Sequence, residues 1–366
     1  MYPRLEINTE KLRKNAETVT ALCAARGIAV SGVVKVVSGN VACAHVMAEA
    51  GCASIASSRL EQLERLRDSG LSVPLMLIRI PMKSEVPALV RTAEISLNSD
   101  LDVLRLLNEE AGRIGRTHQV ILMIDLGDLR EGFWSAEEYV AAAVCVEREL
   151  PHLHLLGVGT NLGCYGSICP TAEKLAELVE AAERVEAAIG RKLQIISGGA
   201  STSFLRVIAG DIPERINHLR IGEGILVNRD NEDLYGFVLE GTHRDVFVLK
   251  AEVVEVRTKP SHPIGEIMFD AFRNKPTYED RGDRKRALLA VGKVDYGYAD
   301  QIYPRVAGTE VLGASSDHTI LDIEDAEREI RVGDVLEFDV NYAAVAYLTS
   351  SDSVRKRIIS QGEPEC

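Results

Sequence analysis

Residues 32–40 read GVVKVVSGN, the tail of an apolar run that takes in one lysine, Lys35, and then gives way to small and polar residues. A lysine at the end of a buried strand is partly desolvated, which lowers its pKa and frees the amine to form a Schiff base. A strand-closing lysine can instead extend its stem to water and do no chemistry. The rest of the chain bears on the choice. Two glycine turns lie downstream, SGGAST (Ser197 to Thr202) and LRIGEG (Leu219 to Gly224), in the order that a phosphate-bearing cofactor requires.

Around that stretch, strands and helices alternate. Asn8 and Thr9 are candidate N-caps for a helix through about Arg26, and the apolar run from Ile28 to Val37 follows it. Further strands are expected at Ala53–Ser57, Pro74–Arg79, Ala93–Asn98, Gln119–Leu126, His154–Leu162, Leu193–Gly198 and His218–Leu226. Between them lie RLEQLERLRDSG, DLDVLRLLNEEAGRIG and AEKLAELVEAAERVEAAIG, with apolar residues at helical spacing and a closing glycine in each. Eight such units predict a TIM-type (β/α)8 barrel, an α/β fold whose chemistry gathers at the C-terminal ends of its strands.

Past Tyr235 the period changes from helical to two. The segments FVLKAEVVEVRTKP, RALLAVGKVDYGY, EVLGASSDHTILDI and DVLEFDVNYAAVAYL are separated by turn-rich stretches such as KPSHPIG and EDRGDRK. The expected organisation is a barrel over 9–235 and a mainly β domain over 236–366, joined by the N-terminal strand within residues 1–8. Tyr342 and Tyr347 are expected in the core of that second domain.

Composition excludes several classes of function. The chain has 366 residues, 46% of them hydrophobic, enough to bury a large core. Its formal net charge is -13 with both signs interspersed, which argues against nucleic acid or an anionic membrane as partner. No apolar run is long enough to span a bilayer, and MYPRLEIN carries no apolar signal core. Seven cysteines are scattered without a CxxC pair, so no disulfide framework or zinc ribbon is indicated, no metal is expected, and the chain reads as cytoplasmic.

On the barrel frame, Lys35 falls at the end of the first strand. Ser201 and Thr202 open a helix after the seventh, where backbone N–H groups and the helix dipole favour a phosphate. The turn at Gly222 and Glu223 lies in or after the eighth, and phosphate sites of such barrels commonly occupy these two loops. Taken singly, SGGAST is an ordinary turn and IGEG a kink; jointly they point to a cofactor phosphate held opposite the lysine.

The order of this lysine, DLGDLREG (Asp125 to Gly132), GTNLGCYG (Gly159 to Gly166), SGGAST and LRIGEG, with a β domain after them, resembles the alanine racemase family of fold type III pyridoxal-phosphate enzymes. MYPRLEIN, GVVKVVSGN, DLGDLREGF and PIGEIMFDAF are most similar to its ornithine racemase-like branch. The resemblance implies pyridoxal 5'-phosphate as cofactor and a head-to-tail homodimer with shared active sites. It also implies roles: Lys35 as the lysine that carries the cofactor, with Ser201, Gly222 and Glu223 at its phosphate. Arg220 would meet the pyridine nitrogen, and Arg130 would sit near the cofactor phenolate and substrate carboxylate. A guanidinium keeps its protons, so the pyridine nitrogen stays unprotonated and the ring is a weaker electron sink, which suits proton exchange at Cα.

Three positions depart from the family pattern. The tyrosine expected four residues after the lysine is Gly39, the histidine beside the pyridine ring is Asn161, and the proton-transferring tyrosine of the β domain is Ile264. Exchange through a planar carbanion needs groups on both faces, so His262, Tyr298 and Cys164 become candidates for the face opposite Lys35. Each also has a structural reading, as a loop residue, a packing or gating residue and a small buried hydrophobe respectively. The expected activity is a racemase for ornithine or another basic amino acid such as lysine, with Glu266, Asp270, Asp295 and Asp317 as candidate receptors for the side-chain ammonium. The alternatives are a lyase, aldolase or decarboxylase on the same fold, a noncatalytic pyridoxal-phosphate carrier, and a cofactor-free Schiff-base aldolase. Against a metal-bearing aldolase, His318 has no cysteine two residues away.

Overall fold

Eight parallel strands close on themselves in the computed structural model, which describes residues 1–360. The chain divides into two units: Thr9–Arg244, and Met1–Asn8 with the residues from Asp245 on. The change in periodicity after Tyr235 thus precedes the end of the first unit, which runs on to Arg244.

The chain enters through β1 (Arg4–Asn8), a strand of the second unit, and passes directly into α1 (Thr9–Ala24). The barrel strands are β2 (Ala29–Val33), β3 (Ser54–Ser57), β4 (Leu75–Leu77), β5 (Ile95–Asn98), β6 (His118–Met123), β7 (Leu153–Gly159), β8 (Ile195–Ser197) and β9 (His218–Ile221). Helices α2 (Val41–Glu49), α3 (Leu60–Asp68), α4 (Val86–Thr92), α5 (Leu101–Arg113), α6 (Ala136–Glu149), α7 (Ala172–Ile189) and α8 (Ser201–Ala209) connect them. After β9 come the short helices α9 (Glu223–Leu226) and α10 (Arg229–Tyr235). Closure is made by β9 against β2, with Ser31 opposite Arg220 and Gly32 opposite Ile221.

Local sequence sets the ends of these helices. Ser135 and Glu138 form a capping box on α6, and Asp100 and Thr171 cap α5 and α7 by accepting N–H bonds from Val103 and Lys174. Gly190 stops α7 in the left-handed region. Val33, Ala56, Met76, Leu97, Ile121, Met123 and Leu156 form one apolar cluster, and side chains from six successive strands can meet this way only inside a closed barrel. Burying each large side chain there contributes roughly 1.5–3 kcal/mol, so the scaffold under the site is rigid.

Two expected strands are cut short. The stretch His218–Leu226 is a strand only to Ile221, because Gly222 turns the chain into α9. Likewise Lys35 does not continue β2 but begins a 3₁₀ turn, Lys35–Val37, closed by Ser38 in the left-handed region.

The second unit carries β10 (Phe247–Pro260), β11 (Asp283–Leu289), α11 (Lys293–Tyr296), β12 (Ile302–Pro304), β13 (Glu310–Ala314), β14 (Thr319–Asp322), β15 (Val335–Val340), α12 (Tyr342–Ser350) and β16 (Arg355–Ile359). Its sheet runs β12-β15-β10-β11-β14-β13, and β1 pairs antiparallel with β10 and parallel with β16, so the N-terminal strand does join this unit. The segment NYAAVAYL is a helix and not a strand. Asn341 caps it by accepting the Ala344 N–H, and the following alanines favour helix. Consequently Tyr347 is exposed and Tyr342 only half-buried, while Tyr296 fills the core with its hydroxyl 2.6 Å from Thr319 Oγ1.

Candidate active site

Each chemistry-bearing residue of the barrel follows the C-terminal end of a strand, except Arg220, which lies within β9. Lys35 follows β2; Arg130 and Glu131 follow β6; Asn161 and Cys164 follow β7; Ser201 and Thr202 follow β8; Glu223 follows β9.

Lys35 reaches solvent, yet protein surrounds it closely enough to lower its pKa. Desolvation is the main cause; Arg130 lowers it further, while Cys164, Glu223 and Glu131 oppose the shift. Its turn demands the glycine that departs from the family pattern. Gly39 has φ +66°, and a Cβ there would stand 2.6 Å from Gln62 Cβ, so no side chain fits without movement.

Arg220 is 4% exposed. Its Nη2 donates to Thr160 O at 2.7 Å and its Nη1 to Ser197 Oγ at 2.5 Å. Burial pulls its pKa down to about 10, with Glu131 opposing and Arg130 assisting, so it remains a cation at neutral pH. Among the described residues it makes no ion pair.

Arg130 is gripped by its neighbour. Glu131 accepts from Nε and, at 2.5 Å, from Nη2, and this pairing raises the arginine's pKa; Nη1 lies 2.9 Å from Cys164 Sγ. Cys164 is exposed, not a buried small hydrophobe.

The two loops here are joined by a residue that spacing alone did not single out. Asp128, 1% exposed, accepts the N–H groups of Cys164, Tyr165 and Ile168 at 3.3, 3.0 and 3.3 Å. Burial is the signal that singles it out, and spacing does not carry it. Asp125 shapes the same loop by accepting from Gly127 and Leu129.

Ser201 opens α8, whose N-cap, Ala200, offers no side-chain cap. Its Oγ accepts the Gly222 and Gly224 N–H groups at 3.3 and 3.1 Å, tying the two glycine turns together. A Cβ on Gly222 would stand 2.8 Å from Val33 O, so the turn lies hard against β2. Thr202 is committed elsewhere, donating to Leu162 O at 2.9 Å. Glu223 is partly buried and its pKa is pushed up to about 7, first by burial and then by Asp230; Lys35 opposes the shift. Asn161 Nδ2, Thr160 Oγ1 and Ser203 Oγ are buried without a hydrogen-bond partner among the described residues.

The remaining candidates belong to the second unit. His262 Nδ1 lies 2.7 Å from Pro263 O, and its ring meets Tyr278 edge-on at 6.2 Å. Tyr298 is 61% exposed and Ile264 91% exposed. Of the four carboxylates considered for a substrate ammonium, Asp295 is buried, accepting from Gly292 N–H and Ser351 Oγ. Asp270 accepts from Phe272, Asn274 and Lys293, whereas Glu266 and Asp317 are exposed. Among the described residues no cluster of three or more His, Cys, Asp or Glu is arranged to hold a metal ion, and no helix is long and apolar enough to cross a membrane.

Comparison with known proteins converges on one family. The model for the N-terminal domain of alanine racemase matches residues 7–229. An ornithine racemase of Acetoanaerobium sticklandii is 40% identical over 359 residues, covering 98% of this chain and 100% of that protein. A lysine racemase of Thermotoga maritima is 38% identical over 356 residues, covering 97% and 98%. The crystal structure of alanine racemase from Bacillus anthracis superposes with a TM-score of 0.75 at 15% identity over 99% of this chain and 97% of that one. D-threonine aldolase from Filomicrobium marinum gives 0.71 at 16% over 95% and 88%; at such identities the likeness is one of fold.

Proposed function

Since the chain belongs to the alanine racemase family, we propose that it is a pyridoxal-phosphate-dependent amino-acid racemase whose substrate is a basic amino acid, ornithine before lysine. The observation that carries the substrate class is near-full-length similarity to both an ornithine and a lysine racemase.

The barrel residues fit the cofactor. The uncapped start of α8 offers backbone N–H groups to a phosphate, and Ser201, already accepting two N–H bonds, has its own hydroxyl proton to donate. Lys35 Nζ, kept less basic than a free lysine, would hold the aldehyde carbon. Arg220 would meet the ring nitrogen as a fixed cation, and Asn161 Nδ2 is a buried donor in need of an acceptor. When bound, pyridoxal phosphate supplies the electron-withdrawing ring that acidifies the substrate Cα–H.

The chain's own groups then divide the work. Arg130 receives the substrate carboxylate, with Glu131 holding its guanidinium in place. Lys35 Nζ takes and returns the Cα proton on one face. On the other face Ile264 has no proton to give, so the second group is drawn from His262, Tyr298 and Cys164. A head-to-tail homodimer with shared active sites, which the family resemblance implies, would bring His262 and Tyr298 from the β domain of a second chain. In support, apolar side chains are exposed in both units: Leu129, Trp134 and Tyr165 in one, Met268, Phe269 and Phe272 in the other. Four of the six described cysteines are buried and all six are free thiols, in keeping with a reducing, cytoplasmic compartment.

The test is incubation of the cofactor-loaded protein in heavy water with L-ornithine, L-lysine and L-alanine separately, followed by chiral chromatography with mass detection. The D-enantiomer should appear carrying deuterium at Cα, fastest from ornithine. Cofactor binding without exchange on any of the three would replace the racemase by a carrier or lyase.

A further inference from the structure

Arg220 stands at the end of a buried chain of hydrogen bonds. Its Nη1 donates to Ser197 Oγ at 2.5 Å; Ser197 Oγ lies 2.8 Å from His218 Nδ1; His218 Nε2 lies 2.8 Å from Ser31 Oγ; and Ser31 Oγ lies 2.5 Å from Ser54 Oγ. Ser197 and Ser31 are 0% exposed, His218 3% and Ser54 4%. Strand alternation puts Ser31 on the same face as Val33, a member of the apolar cluster, so this polar chain runs through the barrel interior.

The chain has one consistent direction. Burial, and after it the charge of Arg220, holds His218 far down, at about 3, so the ring is neutral, with one nitrogen donating and the other accepting. A guanidinium only donates, so Ser197 Oγ accepts from Arg220. Its hydroxyl proton then goes to His218 Nδ1, which leaves Nε2–H to donate to Ser31, and Ser31 to donate to Ser54. The opposite tautomer would aim two donors at Ser197 and strand its hydroxyl hydrogen.

His118 shows the other arrangement. Asn98 Nδ2 donates to Ser96 Oγ at 2.9 Å, and Ser96 Oγ lies 2.8 Å from His118 Nε2, so there Nε2 accepts. Ser96 alternates with Ile95 and Leu97, which join the apolar cluster, so this second bond lies on the opposite face of the sheet. It has no arginine at its end.

We propose that Ser197 and His218 are positioning residues for Arg220, holding its guanidinium in one orientation toward the cofactor's ring nitrogen. The inference rests on the reading of Arg220 as partner of that nitrogen. A serine hydroxyl alone rotates freely. His218 accepts its proton and so turns a lone pair permanently toward Arg220, whose buried charge has no carboxylate partner.

Four full-length variants, loaded with pyridoxal phosphate, test this: Ser197→Ala, His218→Asn, His218→Gln and the control His118→Asn. An asparagine amide occupies the place of Nδ1 and keeps the bond to Ser197; a glutamine amide reaches the place of Nε2 and keeps only Ser31. The readouts are the visible absorption maximum of the bound cofactor, its dissociation constant, and kcat and KM with L-ornithine. Ser197→Ala and His218→Gln should shift the absorption band, weaken cofactor binding about tenfold or more and lower kcat with little change in KM. His218→Asn and His118→Asn should stay within about twofold of wild type. If either His218 variant fails to fold, Ser197→Ala decides, since it only removes a hydroxyl. An unshifted band and unchanged cofactor affinity in Ser197→Ala, or equal losses in both His218 variants, would overturn the inference while leaving the racemase intact. A wild-type protein that binds no pyridoxal phosphate would bring down the functional reading itself.

Discussion

Cys164 Sγ lies 2.9 Å from Arg130 Nη1, the guanidinium nitrogen that Glu131 leaves open. A thiol in that place accepts weakly and can also donate, so its removal tests whether Arg130 needs a partner. Cys164→Ser should keep activity within about threefold, because an oxygen accepts from Arg130 at least as well. Cys164→Ala should cost roughly tenfold in kcat/KM through KM, the value of a hydrogen bond to a charged group. A large loss of kcat in both variants would instead make Cys164 the second proton-transfer group.

Lys35 should set the acid limb of the pH profile of kcat, since its amine is free only once substrate has taken its place on the cofactor. Because Arg130 lowers its pKa and Glu223 raises it, Arg130→Gln should move that limb to higher pH and Glu223→Gln to lower pH. Lys35→Ala should abolish borohydride-trapped cofactor and reduce kcat by at least about a thousandfold. Limbs that move together in the two neutralising variants would exclude Lys35 as the titrating group.

Glu223 makes stability depend on pH in a fixed sense. Its pKa rises from the ordinary glutamate value to about 7 on folding, so its neutral form is favoured and its contribution is full below pH 4.5 and lost as pH rises through 7. Wild type should therefore lose on the order of 2–3 kcal/mol relative to Glu223→Gln across that window. Urea unfolding at pH 4.5, 6 and 8 measures it; parallel curves would show that Glu223 takes up no proton on folding.

The family tyrosine cannot simply be restored at position 39. Gly39→Tyr imposes a left-handed conformation on a bulky residue and a collision with Gln62, so a destabilisation of about 2–4 kcal/mol is expected from denaturant midpoints. Gly39→Tyr combined with Gln62→Ala should recover part of it. A single variant as stable as wild type would mean that the turn re-forms.

What the sequence disclosed followed from periodicity and from chemistry tied to glycine. The eight strands, the lysine after the first and the arginine in the last were legible because each stands on an apolar run or against a required turn. Asp128, Glu131 and His218 were not. Their roles depend on burial and on partners distant in the chain, such as Cys164 for Asp128 and Ser31 for His218, which spacing does not encode. In the β domain, period two hid α12, because NYAAVAYL satisfies a strand pattern and a helix pattern alike until Asn341 is seen capping it. Ile264 was visible as a departure, but nothing in its surroundings names a replacement.

The pairing of β9 with β2 sets Ser31 opposite Arg220 and joins the oldest and youngest barrel strands of a growing chain. During synthesis the amine of Lys35 emerges long before the guanidinium of Arg220, and every intermediate length of the nascent barrel has an open edge on each side. The barrel therefore closes only when its final strand pairs with its first. A chain halted before Arg220 holds Lys35 without its electrostatic counterpart and without the closed barrel whose burial lowers its pKa.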